Sequence, residues 1–269
     1  MIAHIINTDI YGRNVLKLYL EYRKRNFNFL EMAAKLFLDN IERVLIVSCF
    51  PIPPMQIPET DGPLGALAIY RAVEKLGGKP EILTCEKIKN ALKDFRVMFA
   101  QKPDIEDYSL LISIETPGRA RDGKYYSMSA LEIKMPPLDE LFLRAKELGI
   151  PTIGIGDGGN EIGMRVIWDL IPKYIKFGEK IASTIETDSL VLSAVSNWGA
   201  YGLLAQASIE TGKNLLENWD EGEVLKALVS SRVIDGIVKK PQLSVDGIPF
   251  ELHKNFLALL NSIVENKIR

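Results

Sequence analysis

The sequence predicts an α/β fold, a mostly parallel sheet with helices on both faces, and three features predict it. Short, continuous apolar runs recur as buried parallel strands require: RVLIVSC (43–49), YSLLISI (108–114) and LVLSAV (190–195). Amphipathic stretches of helical period separate them, so strand and helix alternate in βαβ units. With 269 residues, 47% of them hydrophobic, the chain is long enough to bury one sizeable core.

Taken in order, residues 14–40 are helical, with Val15, Leu16, Tyr19, Leu20, Phe29, Leu30 and Ala33 at helical spacing and Arg23–Lys24–Arg25 as a solvated interruption. The strand 43–49 follows, then a proline-bearing loop, FPIPPMQIPETDGPLG, and a helix over 64–76 that Gly77 and Gly78 end. Residues 80–84 form the next strand and a charged helical stretch runs to about residue 100. After the strand 108–114, residues 138–148 are helical, 151–155 are a strand, and a glycine-rich turn opens a helix from Glu161 to about Ile171. The strand 190–195 leads into an apolar helix, and 249–263 is a final amphipathic helix. There is no internal repeat. Residues 1–40 read as a helical N-terminal extension and 41–269 as a single α/β domain.

Acidic and basic residues nearly cancel, at a net charge of -2, which does not favour a nucleic-acid or anionic-membrane partner. Cys49 and Cys85, the two cysteines, sit on or near strands as small apolar residues and make no disulfide framework. With no signal-peptide pattern and no apolar run of the ~18 residues a membrane helix requires, a cytoplasmic protein is expected. Two histidines far apart, His4 and His253, make histidine-rich zinc sites and a Ser-His-Asp triad poor matches.

Function is sought at strand ends, because open α/β sheets bind ligands beyond the carboxyl edge. The first strand's loop carries Glu59, Asp61, Gly62 and Gly65. YSLLISI delivers Glu115, Arg119, Arg121, Asp122 and Lys124; TIGIG delivers Asp157, Gly158, Gly159, Asn160 and Glu161; and LVLSAV delivers Ser196 and Asn197. Asp61 and Asp157 each precede a helical pattern and could be N-caps, with Glu161 favoured in a first turn by the helix dipole. Capping alone does not explain Gly158 and Gly159, each of which costs a helix about 0.8–1 kcal/mol relative to alanine. Glycine is expected where backbone approaches a ligand or where successive N–H groups line an anion site.

Carboxylates grouped without histidine or cysteine suit hard cations, Mn²⁺ or Mg²⁺, one or two ions, with Glu59, Asp61, Asp122, Asp157 and Glu161 as ligands. The expected substrate is small and anionic, held by Gly62, Gly65, Arg119, Arg121, Lys124, Gly158, Gly159, Asn160, Ser196 and Asn197. GIGDGG satisfies G-x-G-x-x-G, but Asp157 places negative charge where a pyrophosphate would sit, so no nucleotide cofactor is expected.

The stretches 59–66 (ETDGPLGA), 117–126 (PGRARDGKYY), 156–164 (GDGGNEIGM) and 195–199 (VSNWG) resemble, in the same order, the C-terminal domain family of D-glutamate cyclase. The resemblance runs from about residue 41 to the C-terminal helix and departs locally at Arg165, where a further glycine is expected. It implies an α/β domain with Asp61, Asp122, Asp157 and Glu161 at the centre of the site. The family's cyclase dehydrates D-glutamate to 5-oxo-D-proline.

The residue chemistry itself favours a divalent-metal-dependent hydrolase, foremost a phosphatase, with Glu115, Asp157 and Glu161 as catalytic groups and a metal-bound water as nucleophile. A cyclase-type lyase acting on D-glutamate is the alternative, and a metal- or metabolite-binding module without turnover is a third reading.

Overall fold

In the computed structural model, which describes residues 1–269, three helices come first: α1 (Ile2–Ile5), α2 (Val15–Arg25) and α3 (Phe29–Asp39). Strand β1 (Arg43–Val47) follows, then a small hairpin of β2 (Pro51–Ile52) and β3 (Ile57–Pro58) inside the proline-bearing loop. Next come α4 (Pro63–Lys75), β4 (Lys79–Leu83), α5 (Glu86–Ala91) and β5 (Leu110–Ile114). A second hairpin, β6 (Tyr125–Tyr126) with β7 (Glu132–Ile133), precedes α6 (Glu140–Leu148) and β8 (Thr152–Gly156). Then come two short helices, α7 (Ile171–Tyr174) and α8 (Gly178–Ile181), followed by β9 (Ser189–Leu192) and α9 (Ser196–Thr211). The chain closes with α10 (Glu221–Ser230), a hairpin of β10 (Ser244–Val245) and β11 (Ile248–Pro249), and α11 (Phe250–Ile268).

β4, β1, β5, β8 and β9 form one sheet in that order, every neighbouring pair parallel. In sequence rank this is 2-1-3-4-5, a doubly wound order whose switch point lies between β1 and β5. Alternation along β1 divides the core: Val44 and Ile46 face the larger apolar cluster, Leu45 and Val47 the smaller one, with Phe142 and Ala145 of α6. On the thicker side α9 is buried through its first three turns and packs against α3, α4 and α11. Gly65 lets α4 and α9 approach closely, since a Cβ there would lie 2.7 Å from the Ala200 Cβ.

Two sequence expectations meet a different structure. Residues 1–40 are helical, and they share the main core: Asn7 Nδ2 donates to the Leu192 carbonyl at 2.9 Å, and Tyr22 Oη to that of Leu190 at 2.9 Å. The helix expected over 161–171 does not form. Backbone N–H groups there bond across the molecule instead, Ile162 to the Thr116 carbonyl and Gly163 to that of Ile185, and Gly163 has φ +102°. Asp157 and Glu161 therefore cap no helix. No helix is long and apolar enough to cross a membrane.

Candidate active site: a buried carboxylate cavity

At the carboxyl edge of the sheet, α4 and α9 cap one another. The Asp61 carboxylate, just before α4, accepts from the Ser196 and Asn197 N–H groups at the start of α9, each at 2.8 Å. Asn197 returns the interaction: its Oδ1 accepts from Gly62 N–H at 3.0 Å and Gly65 N–H at 2.8 Å. Both helix starts thus have partners for amide groups that would otherwise be orphaned. Ser196 Oγ donates to Glu115 at the end of β5, and Glu115 holds the uncommon φ of +44°.

The glycine-rich turn makes an anion nest, and its anion is internal. Glu161 Oε1 accepts from the N–H groups of Asp157 and Gly158 at 3.1 and 2.6 Å, while Oε2 accepts from that of Gly159 at 2.7 Å. Gly159, at φ +99°, turns its amide inward. Asn160 turns away, Nδ2 donating to the Tyr126 carbonyl at 2.6 Å.

Residues that the sequence reasoning missed complete the site. Arg13, between α1 and α2, places Nη2 2.6 Å from Asp157 and 3.1 Å from Asp246, and bonds the Ala194 carbonyl. Asp246 occupies the β10–β11 turn with Gly247, both at positive φ as a tight two-residue hairpin requires. Asp235 fixes that turn, accepting from Gly247 N–H at 2.8 Å and from Ser244 Oγ. A signal existed: Asp-Gly stands at 61–62, 122–123, 157–158, 235–236 and 246–247, and four of these five pairs converge here. Nothing in the local pattern around Arg13 marks it.

Glu59, Asp61, Glu115, Asp157, Glu161 and Asp246 are all at most 6% exposed. Arg13, Glu59, Glu115, Asp157, Gly236 and Asp246 line a cavity of about 320 Å³, with Lys239 also on its wall. Burial, then the neighbouring acids, pushes Glu59 and Glu115 well above the usual carboxylate range. Asp61 rises for the same reasons, against the pull of its two amide donors. Asp157 is pushed up to about 6 and Asp246 to about 7, burial outweighing the opposing charge of Arg13. Arg13 stays charged despite burial because Asp157 and Asp246 face it. Two all-oxygen sets lie close enough to hold a cation: Asp61, Asp157 and Asp246, and Glu115, Asp157 and Glu161.

Several sequence-predicted residues lie elsewhere. Asp122 is exposed on its loop, accepting from Tyr126 Oη and from Lys124 N–H, apart from both cation-sized sets. Arg119 makes a two-pronged pair with buried Asp139, at 2.7 and 2.9 Å. Arg121 stacks over the Trp168 ring with 4.1 Å from Cζ to the centroid, and exposed Arg165 flanks the same ring at 5.1 Å. Lys124 pairs with Glu132 at 2.9 Å. The loop's cations therefore have local partners. Gly62 and Gly65 serve as described, by packing and by donating to Asn197.

A family model described as D-glutamate cyclase-like, C-terminal, matches residues 2–261. The human protein named D-glutamate cyclase, mitochondrial, is 28% identical over 295 aligned residues, covering 87% of this chain. The chain spans about half of that relative, 47% of its length. These matches overturn the phosphatase expectation, and the geometry explains the error. The anion nest is filled by Glu161, and the three cations expected at a phosphoryl group, Arg119, Arg121 and Lys124, are engaged with other side chains.

Proposed function

The chain belongs to the D-glutamate cyclase-like C-terminal family, and from that premise we propose that it converts D-glutamate to 5-oxo-D-proline and water in the carboxylate cavity. What carries the reading is that buried cavity, with Arg13 among its acids, in a chain the family model matches almost throughout. In the reaction the amine nitrogen bonds to the γ-carboxyl carbon and one C–O bond of that carboxyl breaks. The nitrogen gives up two protons and the departing oxygen takes two, so the site must move protons between them and return to its starting state.

The groups suited to that relay are carboxyls whose pKa burial raises. Asp246, at about 7, accepts the ammonium proton and passes it on, while Glu59, whose pKa burial raises well above the usual carboxylate range, supplies the other proton to the departing oxygen and recovers the second proton of the nitrogen. Both face the same cavity. Arg13, which unlike the loop's cations lines the cavity, exchanges one of its acid partners for a substrate carboxylate, and the acids receive the ammonium. Glu115, Asp157 and Glu161 would hold a divalent cation such as Mn²⁺ or Mg²⁺, which would polarise the γ-carboxyl group. This set suits a cation better than the other, because Arg13 already pairs with two of the acids there, Asp157 and Asp246.

The test incubates the chain with D-glutamate, and separately with L-glutamate, with Mn²⁺, Mg²⁺ or chelator, and resolves the products by chiral chromatography. The expected result is 5-oxo-D-proline equal to the D-glutamate consumed, with the cation restoring what chelation removes. Undiminished turnover in chelator would remove the cation from the account. No product from D-glutamate under any condition would remove the cyclase reading itself.

A further inference from the structure

Cys49 and Cys85 lie two residues beyond the ends of β1 and β4, adjacent parallel strands whose register pairs Val47 with Leu83. The pairing continues past the strand ends, with Ser48 N–H donating to the Leu83 carbonyl at 3.1 Å and Thr84 Oγ1 to the Ser48 carbonyl at 2.6 Å. Two residues past a paired position, side chains return to one face. Neighbouring strands are ~4.8 Å apart, inside the ~4.4–6.8 Å Cα separation that a disulfide spans. The two thiols thus stand at adjacent strand ends, on the wall of one cavity.

Access is unequal. Cys49 is 4% exposed and Cys85 is half-buried, and both border an apolar cavity of about 510 Å³ walled by Pro51, Leu83, Met135 and Leu141. This cavity shares none of the carboxylate site's lining residues.

We propose that Cys49 and Cys85 form a dithiol–disulfide site that reacts with small hydroperoxides. The Cys85 thiolate attacks the peroxide, the O–O bond breaks, and Cys85 becomes a sulfenic acid as water or an alcohol leaves. The Cys49 sulfur then attacks the Cys85 sulfur, the S–O bond breaks, and a second water departs. The two thiols lose two protons and two electrons, and the peroxide is reduced by two electrons. The division of roles follows the surroundings. The neighbouring Cys49 thiol, aided by the Ile88 amide and opposed by burial, brings Cys85 down to about 7. Cys49, beside Cys85 and buried, is pushed up. The bridge would tie β4 to the segment carrying Phe50, whose carbonyl accepts from Glu59 N–H at 3.2 Å.

The test uses the whole chain, reduced with dithiothreitol, desalted and exposed to equimolar hydrogen peroxide beside glutathione as a reference thiol. Intact mass should fall by two hydrogens, a digest should yield one peptide pair joining residues 49 and 85, and dithiothreitol should reverse both. In Cys49→Ala, Cys85 should stop at a sulfenic acid trapped by dimedone. Two free thiols in the wild-type chain after glutathione is consumed would overturn the proposal. So would Cys85 passing to the sulfinic acid while Cys49 stays reduced, and neither result depends on a variant folding.

Discussion

Glu161 shows how one residue changes the meaning of a motif. The glycines around it were read from sequence as a cradle of N–H groups, and the cradle is there, but the carboxylate four residues after Asp157 folds back into it. Spacing identifies an anion site without saying whether its anion is a ligand or the chain itself. Asp122 is the converse case: it has the same Asp-Gly signature as Asp61 and Asp157, yet it sits on an exposed loop where Tyr126 and Lys124 satisfy it. Gly62 and Gly123 allow the difference to be measured. Both have positive φ, but a Cβ at Gly62 would stand 2.7 Å from Ser48 Oγ and 2.8 Å from the Glu115 Cβ, while Gly123 has open space. Gly123→Ala should cost only the conformational strain of about 1–2 kcal/mol. Gly62→Ala adds a clash with two neighbours and should cost more, toward about 3 kcal/mol or beyond, as a shift in urea midpoint. Equal midpoints would contradict this placement of Glu115.

Among the elements, the strands were legible because continuous β-branched runs have few other uses, whereas the stretch after β8 was not. A helix was expected from Glu161 on, but amides there bond to Thr116 and Ile185, partners tens of residues away that no local pattern reveals. The α9–α10 contact supports a pH prediction. Glu221, at the start of α10, accepts from Tyr201 Oη at 2.8 Å, and burial raises its carboxyl from 4.5 to about 7. Below about pH 4.5 the group is protonated whether the chain is folded or not. As pH rises from there to about 7 the unfolded chain ionises first, and stability falls; above 7 the loss is complete. A change of that size is worth roughly 3 kcal/mol. Denaturation of wild type and Glu221→Gln across pH 4–8 should show the variant gaining relative stability over that window and keeping it at higher pH. A stability difference independent of pH would contradict the assignment.

For the whole molecule, alternating strands and helices conveyed the α/β class, and the carboxyl-edge rule placed Glu59, Asp61, Glu115, Asp157 and Glu161 together. Sheet order was not legible, because parallel strands of like composition exchange positions without changing their patterns. Arg13 and Asp246 were missed because they come from opposite ends of the chain, 233 residues apart, and meet only when α1–α3 and the β10–β11 hairpin close over the same edge. The carboxylate cluster alone favours a metal-dependent hydrolase, and the family match is what overturns that reading. The central claim is that the buried cluster, and not the exposed loop acid, performs the chemistry of this family. It is tested most directly by the rate of 5-oxo-D-proline formation from D-glutamate in Asp157→Asn and Asp122→Asn beside the wild-type chain. The account predicts a loss of at least about a hundredfold in Asp157→Asn, which removes a cation ligand and the partner of Arg13, and wild-type turnover in Asp122→Asn. Wild-type turnover in folded Asp157→Asn, or its loss in Asp122→Asn alone, would contradict it.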